Sequence, residues 1–166
     1  IIRDIAANSA PTFDNPAPAI AYADTAADDI FDPFSFIASA TDANGDTLTW
    51  SILSGLDSVT SLAGVYGTLT LGVNGEFTYT PDSAAIQALN TTENVSESFV
   101  LQVSDGVAVT EQTLTIDVSG GNDPTVFVSG LTGDVSEDTA VNTTVSLVVS
   151  DRDAGDAAGG PENNVL

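Results

Sequence analysis

Apolar and polar positions alternate along most of this chain with a period of two, the spacing that turns one face of a β-strand inward. Leu48-Thr49-Trp50-Ser51-Ile52 alternates, with Leu48, Trp50 and Ile52 on the expected core face. Phe34–Ala38 precedes it, and Phe99, Leu101 and Val103 alternate up to Ser104-Asp105-Gly106. Thr113–Val118 reads as the last strand of the series. Between Thr68–Leu71 and Phe77–Tyr79 stands Gly72-Val73-Asn74-Gly75-Glu76, and Asn-Gly between two β-rich runs is a strong hairpin signal. Only Ser83–Leu89 looks helical, a turn or two with Ile86 and Leu89 pointing inward. Strand after strand with turn punctuation predicts an all-β, Greek-key β-sandwich.

The pattern then restarts. Pro11 and Pro124 are 113 residues apart, and Asp42 and Asp151 are 109 apart. Asp24-Thr25-Ala26 recurs as Asp138-Thr139-Ala140 at a spacing of 114. Three anchors near one period indicate tandem repeats of roughly 110 residues, the size of an immunoglobulin-like sandwich. The expected boundaries are the end of a preceding repeat and linker at 1–9, a complete module at 10–121, and a linker with the first strands of a following repeat at 122–166. A start at Ile1 without Met is expected of a piece or a processed product.

Charge narrows the partners. Lys+Arg is 2 against Asp+Glu 24, a net charge of −22. Nucleic acid and anionic membranes need positive charge to attract them, so neither is an expected partner. No apolar run is long enough to insert into a bilayer, and no signal peptide is recognisable. Such an imbalance repels itself in a folded state unless cations neutralise it. Cys and Lys are both absent, so neither disulfides nor lysine isopeptide bonds can stiffen the modules.

Two acidic loops carry the candidate chemistry. Thr41-Asp42-Ala43-Asn44-Gly45-Asp46 and Asp151-Arg152-Asp153-Ala154-Gly155-Asp156 each close an apolar run and space carboxyl and amide oxygens along a glycine-containing turn. Calcium takes six to eight such hard oxygen ligands from flexible loops. An EF-hand beginning at Asp42 fails, because Thr47 stands where glycine and Leu53 where glutamate is required. The β-roll nonapeptide fails as well, since Asp123 follows Gly120-Gly121-Asn122. Asp, Asn and Gly are also ordinary turn formers, and an Asx turn needs no ion.

Thr41–Thr49, Gly67–Leu71, the Asn74-Gly75 turn, Phe77–Pro81, Ala84–Leu89, Val103–Gly106 and Asn122-Asp123-Pro124 together resemble VCBS repeats, cadherin-like modules of giant bacterial surface adhesins and other repeats-in-toxin secreted proteins. The likeness covers nearly all of residues 8–126, and the tail resembles the opening of a next repeat through Ser136-Glu137-Asp138 and Asp151 to Asp156. It implies an extracellular or cell-surface location, bound Ca2+ and a role as an adhesive or extender module in adhesion or biofilm formation. The partners it implies are neighbouring repeats or further copies, with surface glycans or host and biofilm matrix as possible targets.

In a seven-stranded sandwich, loops after the second and sixth strands lie where the chain enters, so Asp42, Asn44 and Asp105 are expected near the Asn8 linker. At the other end Asp24 and Glu93 are expected to face Asn122, Asp123, Asp151 and Asp153, an arrangement that resembles cadherin junctions. Asp46, Glu137 and Asp156 complete the candidate ligands, Asp46 and Asp156 as ligands or as turn formers. Asn8-Ser9-Ala10 lacks the linker aspartate, which implies weaker metal binding at the first junction than at the second.

Catalysis has little to work with. Without His, Cys or Lys there is no Ser-His-Asp triad, thiol nucleophile, Schiff base or lysine phosphate clamp, so the chain is not expected to be an enzyme. Two other readings stay open here: a filament subunit that adds Ile1–Ile5 or Val126–Val149 to a neighbour's sheet, and a carbohydrate-binding module, which would need Trp50, Tyr66 or Tyr79 exposed.

Overall fold

A computed structural model describes residues 7–25 and 28–124, with the backbone of 126–127 and 149–150. The first half of the fold supplies β1 (Thr12–Phe13), β2 (Ile20–Ala23), β3 (Phe34–Ile37), β4 (Ala40–Thr41), β5 (Thr49–Ser54), β6 (Asp57–Val59) and β7 (Ser61–Ala63). Then come β8 (Gly67–Leu71), β9 (Glu76–Pro81), the single helical turn α1 (Ser83–Ile86), β10 (Asn94–Ser104) and β11 (Val109–Ser119). Two last short strands, β12 (Val126–Phe127) and β13 (Val149–Ser150), pair with each other.

The strands form a five-stranded sheet of order β2-β11-β10-β5-β6 and a four-stranded sheet of order β3-β9-β8-β7. Their inner faces share one core, with Ile52, Leu101, Leu114 and Ile116 from the first meeting Leu69, Phe77 and Tyr79 from the second. Edge-to-face aromatic pairs bridge the sheets, Trp50 against Phe77 at 6.3 Å and Tyr79 against Phe99 at 6.0 Å. The two sheets pack face to face as a β-sandwich.

The alternation sets the strands that matter most. Phe99, Leu101 and Val103 on β10 and Leu114, Ile116 and Val118 on β11 are all buried. The Asn74-Gly75 hairpin forms between Leu71 and Phe77, which stand opposite each other, and both turn residues take positive φ, 56° and 76°. At Gly75 a side chain is barred for a second reason, since a Cβ there would meet the Ala38 carbonyl at 2.7 Å. Asp82 caps α1 by accepting the Ala84 and Ala85 N–H groups, and the turn delivers Ile86 and Leu89 to the core.

Five short strands were not legible as strands: β1, β2, β4, β6 and β7. None exceeds four residues, and β2 exists because Ile20 and Tyr22 lie in parallel register with Ile116 and Val118, a partner almost a hundred positions away. Local alternation carries no record of such a pairing.

A half-buried carboxylate fastens the loop before β8 to β10. Glu97 Oε2 accepts the N–H groups of Val65 at 2.7 Å and Tyr66 at 3.1 Å, while Oε1 accepts the Tyr79 hydroxyl proton. Burial, together with this carboxylate, pushes the Tyr79 phenol above its ordinary value, so it stays a neutral donor. Glycine is required at both ends of the loop. A Cβ at Gly64 would strike the Glu97 carboxylate and the Phe99 ring, and one at Gly67 would strike the Tyr79 ring.

Glu97→Ala removes three acceptor contacts and leaves their donors unsatisfied. Hydrogen bonds to charged groups are worth about 1.5–3 kcal/mol each, and they are not additive within one network. The expected loss is about 3 kcal/mol in urea-induced unfolding. An unchanged midpoint would show that the loop is held by other contacts.

Candidate metal centres at the two poles of the sandwich

β10 and β11 run antiparallel along the whole length of the sandwich, so their ends mark its two poles. The turn that joins them, with Asp105, lies at the leading pole beside linker residues 7–9. Their free ends, Asn94 and Ser119, lie at the trailing pole beside residues 120–124.

At the leading pole Asp42 and Asn44 follow β4, and Asp105 follows β10. Asp42 Oδ1 accepts the Asn44 N–H at 2.8 Å and the Asp46 N–H at 3.1 Å, which shapes the acidic loop as an Asx turn. Asp46 therefore enters this turn through its backbone. Asp42 Oδ2 is buried without a hydrogen-bond partner. Asp105 Oδ1 accepts the Val107 and Ala108 N–H groups at 2.7 and 2.6 Å, and Oδ2 accepts the Asn8 amide at 2.9 Å. The Ala108 N–H, then the Asn8 and Val107 donors, hold the Asp105 carboxyl below its ordinary value. Asn44 also touches the linker, since its Oδ1 accepts the Ser9 N–H at 2.7 Å and its Nδ2 donates to the Ala7 carbonyl at 3.3 Å.

The trailing pole differs in character. The Asp24 N–H donates to the Ser119 carbonyl at 2.9 Å and so prolongs the β2–β11 pairing by one step. Its side chain is only 7% exposed, and Asp123 is only 4% exposed. Burial, then the charge of Asp123 and, more weakly, that of Asp29, raise the Asp24 carboxyl, while the Gly121 and Thr25 N–H groups oppose the rise. Asp24 Oδ1 accepts the Thr25 N–H at 3.1 Å, but Oδ2 is buried with no hydrogen-bond partner.

Two glycines make this approach possible. A Cβ on Gly121 would come within 3 Å of the Asp24 and Thr25 backbone, and one on Gly120 would overlap the Leu89 and Asn90 carbonyls. The Gly-Gly pair thus lets the linker press flat against two loops, which brings Asp123 to Asp24.

No counter-charge comes from the module itself. Residues 4–151 contain no Lys, Arg or His, and the two cationic side chains are Arg3 and Arg152, both outside the described residues. The Asp24 oxygen, buried without a hydrogen-bond partner beside a second buried acidic residue, is what a bound cation would satisfy. The donor set, all hard oxygen, suits calcium.

The other expected ligands fall out as follows. Asn122 is half-buried next to Asp123, and its amide contacts the Asp123 carbonyl at 3.4 Å. Glu93 closes its own turn by accepting the Asn90 N–H at 2.9 Å, while its carbonyl accepts the Gly120 N–H. Glu137, Asp151, Asp153 and Asp156 lie outside the described residues. Among the described residues no three acidic side chains converge into a ready metal cage. Sequence reasoning overlooked Asp29, whose Oδ2 accepts both the N–H and the hydroxyl of Thr25 at 2.8 Å. The i, i+4 spacing from Thr25 within one acidic loop was the available signal.

The family described as bacterial cadherin-like domain matches over residues 8–120. No curated protein matches the chain. Similar solved structures include human protocadherin-24 EC1-2, at 18% identity over 90% of this chain and 62% of that one, with a TM-score of 0.42. A chimeric titin Z1Z2 carrying an exogenous decorin peptide is similar at 15% identity over 69% of this chain and 98% of its own, with a TM-score of 0.37. An endo-fucoidan hydrolase of glycoside hydrolase family 107 is similar at 18% identity and a TM-score of 0.35, and this chain spans 13% of its length.

The raised Asp24 carboxyl has a definite sign in a pH titration. Its folded state holds the proton more tightly than the unfolded state, so the ion-free domain gains stability as pH falls through the raised value toward 3.8. Asp105 acts oppositely and loses its contribution only below 3.8. Asp24→Asn should stabilise the ion-free domain by about 1 kcal/mol, the scale of relieving one buried unsatisfied group, and should flatten the acid-side rise in thermal unfolding. Gly121→Ala forces a side chain against backbone and should cost about 1–3 kcal/mol in the same assay. A neutral result there would show that the linker is not pressed into place.

Proposed function

The chain belongs to the bacterial cadherin-like domain family, and from that premise we propose that it is a calcium-stabilised extender module of a secreted or cell-surface bacterial adhesin. Calcium-linked rigidity between successive repeats is the physical work assigned to it. The observation that carries the reading is the buried, orphaned oxygen of Asp24 beside buried Asp123, in a stretch of chain that offers no cation of its own.

Asp24, Asp123 and the Asn122 carboxamide would hold the ion from this module, with Glu137, Asp151 and Asp153 as the expected contribution of the next one. A calcium ion needs six to eight oxygens, so ligands from both modules and water would have to share it. Sharing couples the binding energy to the angle between neighbours. An ion held by one module alone stabilises only that module.

Two other readings stand beside it. A filament that grows by strand addition would pair Ile1–Ile5 or the 126–149 stretch with another copy; Ile1–Ile5 lies outside the described residues, and Val126–Phe127 pairs with Val149–Ser150 within this chain. A carbohydrate-binding module needs an open aromatic platform. Trp50 is half-buried against Phe13 and Phe77, Tyr66 is half-buried, and Tyr79 is fully buried. Among the described residues no helix is long and apolar enough to cross a membrane.

Calcium should raise the melting temperature of the chain, by about 1.4 kcal/mol of stability per site at roughly tenfold excess over its dissociation constant. Asp123→Asn should remove that increment. A polypeptide of several repeats should become shorter on average in solution scattering when the ion is chelated. Identical melting and scattering with calcium and with EDTA would sink the proposal.

A further inference from the structure

The two poles are not chemically equivalent. At the trailing pole two buried carboxylates face each other and one oxygen is orphaned. At the leading pole the linker is already bonded to the domain. Asn8 Nδ2 donates to Asp105 Oδ2 at 2.9 Å, the Ser9 N–H donates to Asn44 Oδ1 at 2.7 Å, and Asn44 Nδ2 returns a bond to the Ala7 carbonyl at 3.3 Å. Three consecutive linker residues are thereby engaged by two side chains.

These contacts fill the very oxygens a cation would use. Both carboxylate oxygens of Asp105 accept N–H groups, and the amide oxygen of Asn44 is occupied by Ser9. The Asn8 N–H bond directs its positive end at Asp105, where a cation would have to sit. Asp42 Oδ2 is left over, with the exposed Asp46 carboxylate in the same turn, and Asn8 turns an N–H rather than an oxygen toward Asp105. The leading linker is therefore held by amide donors already in place, which a calcium ion would have to displace.

We propose that the leading linker is latched by an amide–carboxylate hydrogen-bond clasp, Asn8–Asp105 with Ser9–Asn44–Ala7, that holds without calcium. The domain then carries one ion-independent joint and one ion-dependent joint. Only the contrast with the trailing pole rests on the function proposed above; the clasp itself is a property of the ion-free chain. Removing calcium would loosen the trailing side of this module and leave its leading side in place.

Hydrogen exchange and amide chemical shifts read each pole separately in the full chain. In EDTA the Ser9 amide should exchange at least tenfold more slowly than a free linker amide, and Asn44→Ala should abolish that protection. On calcium addition the Thr25 and Gly121 amides should shift while Ser9 and the Asn8 side-chain amide stay put. Asn8→Asp exchanges the donor for a carboxylate facing Asp105, so it should lose the Ser9 protection in EDTA and acquire a calcium-dependent shift at the leading pole. An unprotected Ser9 in EDTA, or one protected only with calcium, overturns the clasp. Protection of Ser9 with no calcium-induced shift anywhere supports the clasp and removes the calcium function instead.

Discussion

The antiparallel ladder between Asn94–Ser104 and Val109–Ser119 is the constraint on which the rest of the structure depends. It spans the sandwich, a length of roughly 35 Å at about 3.4 Å per residue. Its inward residues, Phe99, Leu101 and Val103 with Leu114, Ile116 and Val118, form one wall of the core. The other strands of its sheet take their register from it, β2 in parallel on β11 and β5 in antiparallel on β10. Because one hairpin reaches both poles, the Asp105 turn and the Gly120–Gly121 exit are held at a fixed separation. On the function proposed above, this hairpin would serve as a rigid ruler between two joints.

Electrostatics explains why the joints are where chemistry concentrates. With −22 net charge and no cationic side chain between residues 4 and 151, the module cannot form an internal ion pair over that stretch. Its carboxylates can be stabilised by backbone N–H groups, by amide side chains, by protonation or by ions from solution. The first three are found in this structure. Asp42 and Asp105 use backbone donors, Asp105 adds the Asn8 amide, and Asp24 is pushed toward its protonated form by burial and by Asp123. Glu97 uses the same device inside the fold, accepting two backbone N–H groups and a phenol to anchor the loop before β8.

This division gives the poles different physical characters. Hydrogen bonds from amides are short-ranged and indifferent to calcium, so they fix a linker whatever the ionic conditions. Paired buried carboxylates are the opposite: repulsive alone and cohesive around a divalent ion. The asymmetry between the ends belongs to this chain's own side chains, Asn8 against Asp123 above all.

Much of the fold could be read directly from the residues. Alternation marked β5, β8, β9, β10 and β11, and the Asn74-Gly75 pair marked the hairpin. Those features are local: neighbours within a few positions decide whether a strand or a turn forms. The absence of Lys, Cys and His likewise excluded disulfides, lysine isopeptide bonds and chemistry through those three side chains from composition alone. What the residues could not reveal was everything that depends on distant partners. The parallel seat of β2 on β11, the Glu97 anchor across the core and the fully occupied oxygens of Asp105 all join positions 18 to 97 apart. Most of all, nothing local distinguishes a solvated Asp24 from a buried one. Its burial follows from the linker glycines closing over the loop, a packing event that exists only once both sheets have formed.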